Sequence, residues 1–272
     1  MGRDRGFIIR RKYLRIKQCK MLNKNQEKRF KNFFKKYSLD KYDNFKDPAI
    51  FFSLWGFGLI KSHRGFAIII WRGSDITKME SKLKSIKKMK NVCHIAISSY
   101  IAKDLEKYDI KYKFIPVVGV DLKYFKPCPM GNEIYTYVPS IHPNKYYERY
   151  GMDIIKKIQK RCKYKINIID SSIKYNKKEM FEIYKRCFCG LRMTKHDGLP
   201  NQVIEMGLMG RKSFYNGDIP GSIKWDKDID KIISNIDEEA KKINTIDYKY
   251  AEEINNFINV GDKWLDTDFW RN

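Results

Sequence analysis

From residue 48 onward, short apolar runs alternate with stretches of helical period, and that alternation constrains the fold more than any other feature of the chain. Phe66-Ala67-Ile68-Ile69-Ile70 reads as a buried strand, and Ile76, Met79, Leu83, Ile86 and Met89 mark an amphipathic helix after it. Val92 to Ile97 predicts the next strand, Ser99 caps a helix reaching Tyr108, and Tyr112 to Val118 predicts a third strand. Pro127, Pro129 and Gly131 then cluster as a linker. Beyond them the pattern resumes: strand 134–138, helix 151–161, strand 164–169, helix 177–186, strand 187–191. This order predicts an α/β chain with parallel sheets and right-handed crossovers, two Rossmann-like layers in all. Ligands in such sheets bind at the carboxyl ends of the strands.

At 272 residues and 43% hydrophobic composition, the chain can bury two small cores. We expect an N-terminal unit over 1–122, a C-terminal unit over 123–247 and a helical tail over 248–272 that packs back on the first unit. The longest apolar stretch, Ala49 to Ile60, is broken by Ser53, Gly56 and Gly58 and is too short to span a bilayer. Met1 to Gly6 lacks the apolar core of a signal peptide, so the cytoplasm is the expected location. Six cysteines show no Cys-x-x-Cys spacing, and Cys187 and Cys189 alternate on a core strand; reduced structural thiols are expected, with no metal site.

The run from Cys189 to Glu205 carries the chemistry. Phe188 to Leu191 predicts a buried strand, Thr194 to Gly198 a loop, and Pro200 the first turn of a helix ending at Gly210. Asp197 falls at the end of the loop and Glu205 about two turns into the helix. Val203, Ile204, Met206, Leu208 and Met209 make that helix largely buried, so an acid inside it needs a partner. The free amides of the helix start face the same crevice.

This stretch resembles the donor-site signature of the retaining GT-B glycosyltransferases of family 4 and its neighbours, in which two acids stand eight positions apart and the first precedes a glycine. A second match lies at Gly119-Val120-Asp121, followed by Phe125 and Pro127, which resembles the end of that family's first domain. The resemblance spans roughly residues 66 to 225 and implies a GT-B fold, two Rossmann-like domains facing a central cleft. It implies that Glu205 holds the ribose of a nucleotide-diphosphate sugar, that Asp197 contacts the transferred sugar, and that amides at Gly198 and Leu199 meet the diphosphate. Asn201 and His196 flank these as donor-site residues, His196 as a shaping group. The family's first acid is usually Glu, and Asp197 is one methylene shorter. Lys145 matches the family's phosphate-binding lysine; Ser140 stands where its arginine is expected, which leaves Arg192 or Arg149 to supply that charge. Arg72 and Asp75 follow the strand ending at Ile70 and are cleft candidates, with an ion pair between them as the structural alternative. No Gly-rich loop after an initial strand is visible in residues 1–47, so the first unit reads as shortened.

The resemblance thus implies a retaining, metal-independent hexosyltransferase without a cofactor, acting on a glycan or lipid-linked acceptor. Asp197, Lys145 and Arg192 would carry the chemistry. Two other readings stay open. One is a degenerate GT-B protein that binds a sugar nucleotide without transfer. The other is a basic polyanion-binding protein, since the net charge is +24 and residues 1–36 hold 14 Lys or Arg against Asp4 and Glu27. That segment could meet an anionic membrane face, making the protein peripheral, at about 1 kcal/mol per basic residue; nucleic acid is not the expected partner. Within it, Phe30, Phe33, Phe34 and Tyr37 recur at helical spacing among lysines, a face suited to a protein core or to a membrane surface. Lysine is spread along the whole chain, so much of the charge needs no partner.

Overall fold

The computed structural model describes residues 15–20, 31–53, 56–73, 76, 80–118, 122–138, 148–170, 172–194 and 197–270. Among the described residues, ten strands form two sheets, and every pairing between neighbouring strands is parallel. The first sheet holds β1 (Gln18–Lys20), β2 (Asp40–Lys41), β3 (Ala49–Phe52), β4 (Ala67–Trp71), β5 (Val92–Ala96) and β6 (Lys113–Phe114) in the order β2-β1-β3-β4-β5-β6. The second holds β7 (Glu133–Val138), β8 (Ile166–Asp170), β9 (Cys187–Leu191) and β10 (Ser213–Phe214) in the order β10-β9-β7-β8. Helices α1 (Lys31–Lys36), α2 (Phe57–Ser62), α3 (Glu80–Lys87) and α4 (Ser99–Glu106) accompany the first sheet. Helices α5 (Met152–Arg161), α6 (Lys177–Lys185), α7 (Asn201–Leu208), α8 (Ile229–Ala240) and α9 (Tyr248–Ile258) accompany the second.

Strands covered on both faces must be apolar throughout, and β3, β4 and β9 are buried at every position. The strand expected over Tyr112 to Val118 pairs only at Lys113 and Phe114. Ile115 still donates to the Ala96 carbonyl at 3.0 Å, but Pro116 has no amide with which to continue the ladder. β1 and β2 fall within residues 1–47, ahead of the strand–helix alternation that begins at residue 48. Gln18 is a polar residue inside β1, and its amide is fully used: Nε2 donates to the Asn44 and Asp47 carbonyls, and Oε1 accepts from the Asp43 and Asn44 amides. Phe33 and Tyr37, from the basic amphipathic segment, enter the first core, while Lys31, Lys35 and Lys36 stay exposed.

The C-terminal stretch joins both cores. Tyr250, Ile254 and Ile258 of α9 pack with α7, where Gly207 allows close approach: a Cβ there would stand 2.8 Å from Ile254 Cγ1. Trp264 and Leu265 then enter the first core, with the Trp264 ring 5.2 Å from Tyr37. The Ile16 amide donates to the Leu265 carbonyl, and Arg15 pairs with Asp262 and Asp266.

Strand order sets the location of the site. The chain passes from β7 to β8 on one side and then returns through α6 to β9 on the other side of β7. Connections that diverge from a central strand open a crevice above its carboxyl end.

Candidate functional site

A cavity of about 510 Å³ lies at that point, lined by Tyr135 and Tyr137 of β7, Ile169 and Asp170 at the end of β8, and Arg192 just after β9. Lys174, Lys177, Met180 and Tyr184 close one side, Leu199 to Gln202 the start of α7, and Arg72 reaches it from the end of β4. Glu205 forms part of its wall from within α7. Four cationic side chains, Arg72, Lys174, Lys177 and Arg192, thus face two acids, Asp170 and Glu205, a balance suited to an anionic ligand.

Glu205 is the most deeply placed charge. Every residue of α7 from Gln202 to Leu208 is buried, which puts its carboxylate out of water. It has two protein partners already: Lys177 forms an ion pair with Oε1, and the Tyr184 hydroxyl donates to Oε2 at 2.8 Å. Burial pushes the Glu205 carboxyl above the ordinary range, opposed by the Lys177 charge and by hydrogen bonds from Lys177 and Tyr184. Tyr184 is itself buried against Tyr135, their rings 4.8 Å apart and edge to face. The partner required by this acid is therefore supplied by α6.

Asp197 is also engaged. Arg192 Nε donates to its Oδ2 at 2.6 Å, and a second guanidinium nitrogen reaches the same oxygen. The Arg192 guanidinium also lies 5.0 Å from the Tyr150 ring centroid and 6.0 Å from that of Tyr137. The Gly198 amide donates to Asp197 Oδ1 at 2.9 Å. Tyr215 closes the loop from below by donating to the Gly198 carbonyl. The loop meets the other half of the molecule here. A Cβ on Gly198 would stand 3.6 Å from the Gly73 amide nitrogen, and Leu199 packs against both cores. Asp218 adds a further link, accepting from the Ser99 amide at the start of α4 at 2.5 Å.

Of the residues singled out from sequence, Arg72, Arg192, Leu199, Asn201 and Glu205 line one cavity, with Asp197 and Gly198 beside it. Arg72 also places its guanidinium 5.7 Å from the Phe52 ring centroid. Lys145, His196 and Asp75, together with Ser140 and the run Gly119-Val120-Asp121, lie outside the described residues. Sequence reasoning missed Lys177, Tyr184, Tyr135 and Tyr215. The first two were open to discovery, because residues seven apart on a predicted helix share a face. Asp228, in the acidic run from Asp226 to Asp230, caps α8 by accepting from the Asp230 and Lys231 amides.

No protein-family model and no curated protein matches this sequence. Solved structures do match. Sucrose-phosphate synthase from Thermosynechococcus elongatus superposes with a TM-score of 0.57 at 12% identity, over 84% of this chain and 72% of that one. TarM matches with a TM-score of 0.55 at 10% identity, over 89% of this chain. A point mutant of S. aureus TarM, solved in complex with Fondaparinux, alpha-GlcNAc-glycerol and UDP, matches with a TM-score of 0.51 at 12% identity, over 82% of this chain. The chain spans 56% and 54% of the two TarM chains. These neighbours are GT-B glycosyltransferases, and at such identities the likeness shows the fold: two parallel α/β sheets in the GT-B arrangement.

Proposed function

We propose that this protein is a glycosyltransferase that moves a sugar from a nucleotide-diphosphate donor to a glycan or lipid-linked acceptor, with retention and without a metal. The buried Glu205 carboxylate carries the reading: an acid kept out of water in the wall of a cation-lined cavity suits a ligand with both hydroxyls and phosphates. The UDP and glycan bound to TarM support the same ligand classes here.

Transfer breaks the bond between the anomeric carbon and the diphosphate oxygen. Negative charge grows on the leaving group as the sugar becomes oxocarbenium-like, and positive side chains must meet that charge. In this reading Lys145 and Arg192 do so, at roughly 1.5–3 kcal/mol for each charge-assisted hydrogen bond. Arg192 shares its charge with Asp197, so Arg72 and Lys174 contribute as well. Glu205 takes the ribose, Asp197 the transferred sugar, and Gly198, Leu199, Asn201 and His196 complete the donor site. Asp75, three positions after Arg72 in the chain, remains a cleft candidate. The divisions at 1–122, 123–247 and 248–272 belong to the same proposal, as do a cytoplasmic location and a peripheral membrane contact through residues 1–36.

The Arg192–Asp197 ion pair favours a second reading, a protein that binds the sugar nucleotide without transferring it, because it ties up a cation and an acid needed for chemistry. Thermal-shift titration with UDP, GDP and ADP sugars, followed by turnover assays of any hit, separates the readings. A stabilised protein that releases nucleoside diphosphate in the presence of acceptor supports transfer. Stabilisation without turnover supports the second reading. No stabilisation, with tight and salt-sensitive binding of polyanions, would sink both.

A further inference from the structure

Two donors from one helix face converge on one buried carboxylate. Lys177 and Tyr184 stand seven residues apart in α6, so they share a face, and each takes a different oxygen of Glu205. The start of α6 is held by a capping box: the Asn176 side chain accepts from the Lys178 and Glu179 amides, and Glu179 Oε2 accepts from the Asn176 amide at 2.7 Å. That box places the Lys177 stem. Its ammonium also lies 5.4 Å from the Phe125 ring centroid, and Phe125 in turn sits 5.9 Å from the Tyr184 ring.

We propose that Lys177 is a positioning residue for donor binding: with Tyr184 it fixes the Glu205 carboxylate so that its remaining acceptor sites serve the vicinal hydroxyls of a ribose. This inference rests on the glycosyltransferase reading above. A carboxylate offers about four lone-pair sites, and the two α6 donors use one on each oxygen. Two remain for two hydroxyls. The exposures of the pair explain the division of labour: the Glu205 side chain is 4% exposed and that of Lys177 is 39% exposed. The acid is immobilised inside α7 while the cation sits at the cavity edge. The charged and titratable groups around Glu205 are Lys177 and Tyr184 on α6, Tyr135 on β7, and Arg72, Lys174, Arg192 and Asp170 across the cavity. Lys177 is the cation in direct contact, so its loss leaves burial to drive Glu205 toward the protonated acid, a poorer acceptor.

Calorimetric titration of the full chain with UDP, GDP and ADP, and with their 2′-deoxy counterparts, tests this between pH 6 and 9. The unmodified protein is expected to bind one of the three, to bind its deoxy form about tenfold more weakly, and to show little pH dependence. Lys177→Met is expected to lose about tenfold in affinity, to discriminate the deoxy form by less than about twofold, and to weaken further as pH falls. Lys177→Arg should restore discrimination. Lys177→Gln, which keeps a donor without the charge, gives the same readout if the Met variant is poorly folded, and should resemble the Met variant. A Met or Gln variant that retains deoxy discrimination with a flat pH profile overturns the role of Lys177 while leaving the donor reading intact. Failure of the unmodified protein to bind any of the three overturns the donor reading and this inference with it.

Discussion

Replacing Glu205 by Gln should separate binding from folding. In the proposed complex the carboxylate accepts two ribose hydroxyls, each charge-assisted bond contributing about 1.5–3 kcal/mol. The amide keeps one acceptor oxygen of about half the strength, which turns to Lys177, while its NH2 group donates to the Tyr184 hydroxyl as that hydroxyl rotates to accept, so fewer acceptor sites remain for the ribose. The expected loss is about 2–3 kcal/mol, or roughly 30- to 150-fold in affinity for the nucleoside diphosphate. Stability should move little. The ion pair lost is half open to water on the Lys177 side and is discounted accordingly, while the substitution also removes the cost of a desolvated charge. Unfolding free energy should therefore change by less than about 1 kcal/mol.

The pH dependence carries its own sign. Burial outweighs the opposing Lys177 and Tyr184 and leaves the folded carboxyl above its unfolded value of 4.5, so the folded state binds more protons there. Its contribution to stability is present below that value and declines as pH rises through the folded value. The Gln variant should lack this decline and gain on the parent protein toward neutral pH. Urea denaturation between pH 4 and 8, with calorimetry of nucleotide binding, measures both quantities. An affinity unchanged by the substitution, or a fold weakened by more than about 3 kcal/mol, would refute the reasoning.

Arg211 is fully buried and donates to the carbonyls of Cys187, Met209 and Pro129 at 2.8, 2.5 and 2.7 Å, so Arg211→Met should cost about 3–5 kcal/mol, read by urea denaturation, because it strands those acceptors. Burial depresses His94 to about 4, while its Nδ1 accepts from Trp71 Nε1 at 3.1 Å. The fold should therefore hold its full stability above pH 6.5 and lose up to roughly 3 kcal/mol as pH falls toward 4, and His94→Gln should flatten that slope. Asp218→Asn removes a carboxylate from the start of α4 and should lower unfolding free energy by about 0.3–1 kcal/mol at low salt; an equal effect in 1 M salt would argue against a charge–dipole origin.

Local pattern made much of the molecule legible. β9 begins and ends at Cys187 and Leu191 as its apolar run predicts, and the buried strand at 66–70 lies within one residue of β4. Asp197 and Glu205 were visible because a strand, a loop and a buried helix follow one another within a short span. Other parts left a weaker mark. β1 reads Gln-Cys-Lys, and only the four hydrogen bonds around the Gln18 amide explain why so polar a segment can lie inside a sheet. β6 stops early because Pro116 interrupts its ladder, a local effect that the apolar character of its neighbours masks.

Periodicity and turn residues thus suffice for the parallel α/β architecture, since each depends on atoms a few residues apart. Partnership across the cavity does not follow from spacing in the chain. Lys177 meets Glu205 across 28 positions, Asp218 meets Ser99 across 119, and Arg15 meets Asp262 across 247. The first arises when α6 and α7 pack beside the second sheet, and the other two only when the two sheets and the C-terminal stretch come together. Burial then decides the chemistry: the same Glu205 that reads in one dimension as a helical acid becomes, once α7 is enclosed, a desolvated carboxylate held by two donors from α6.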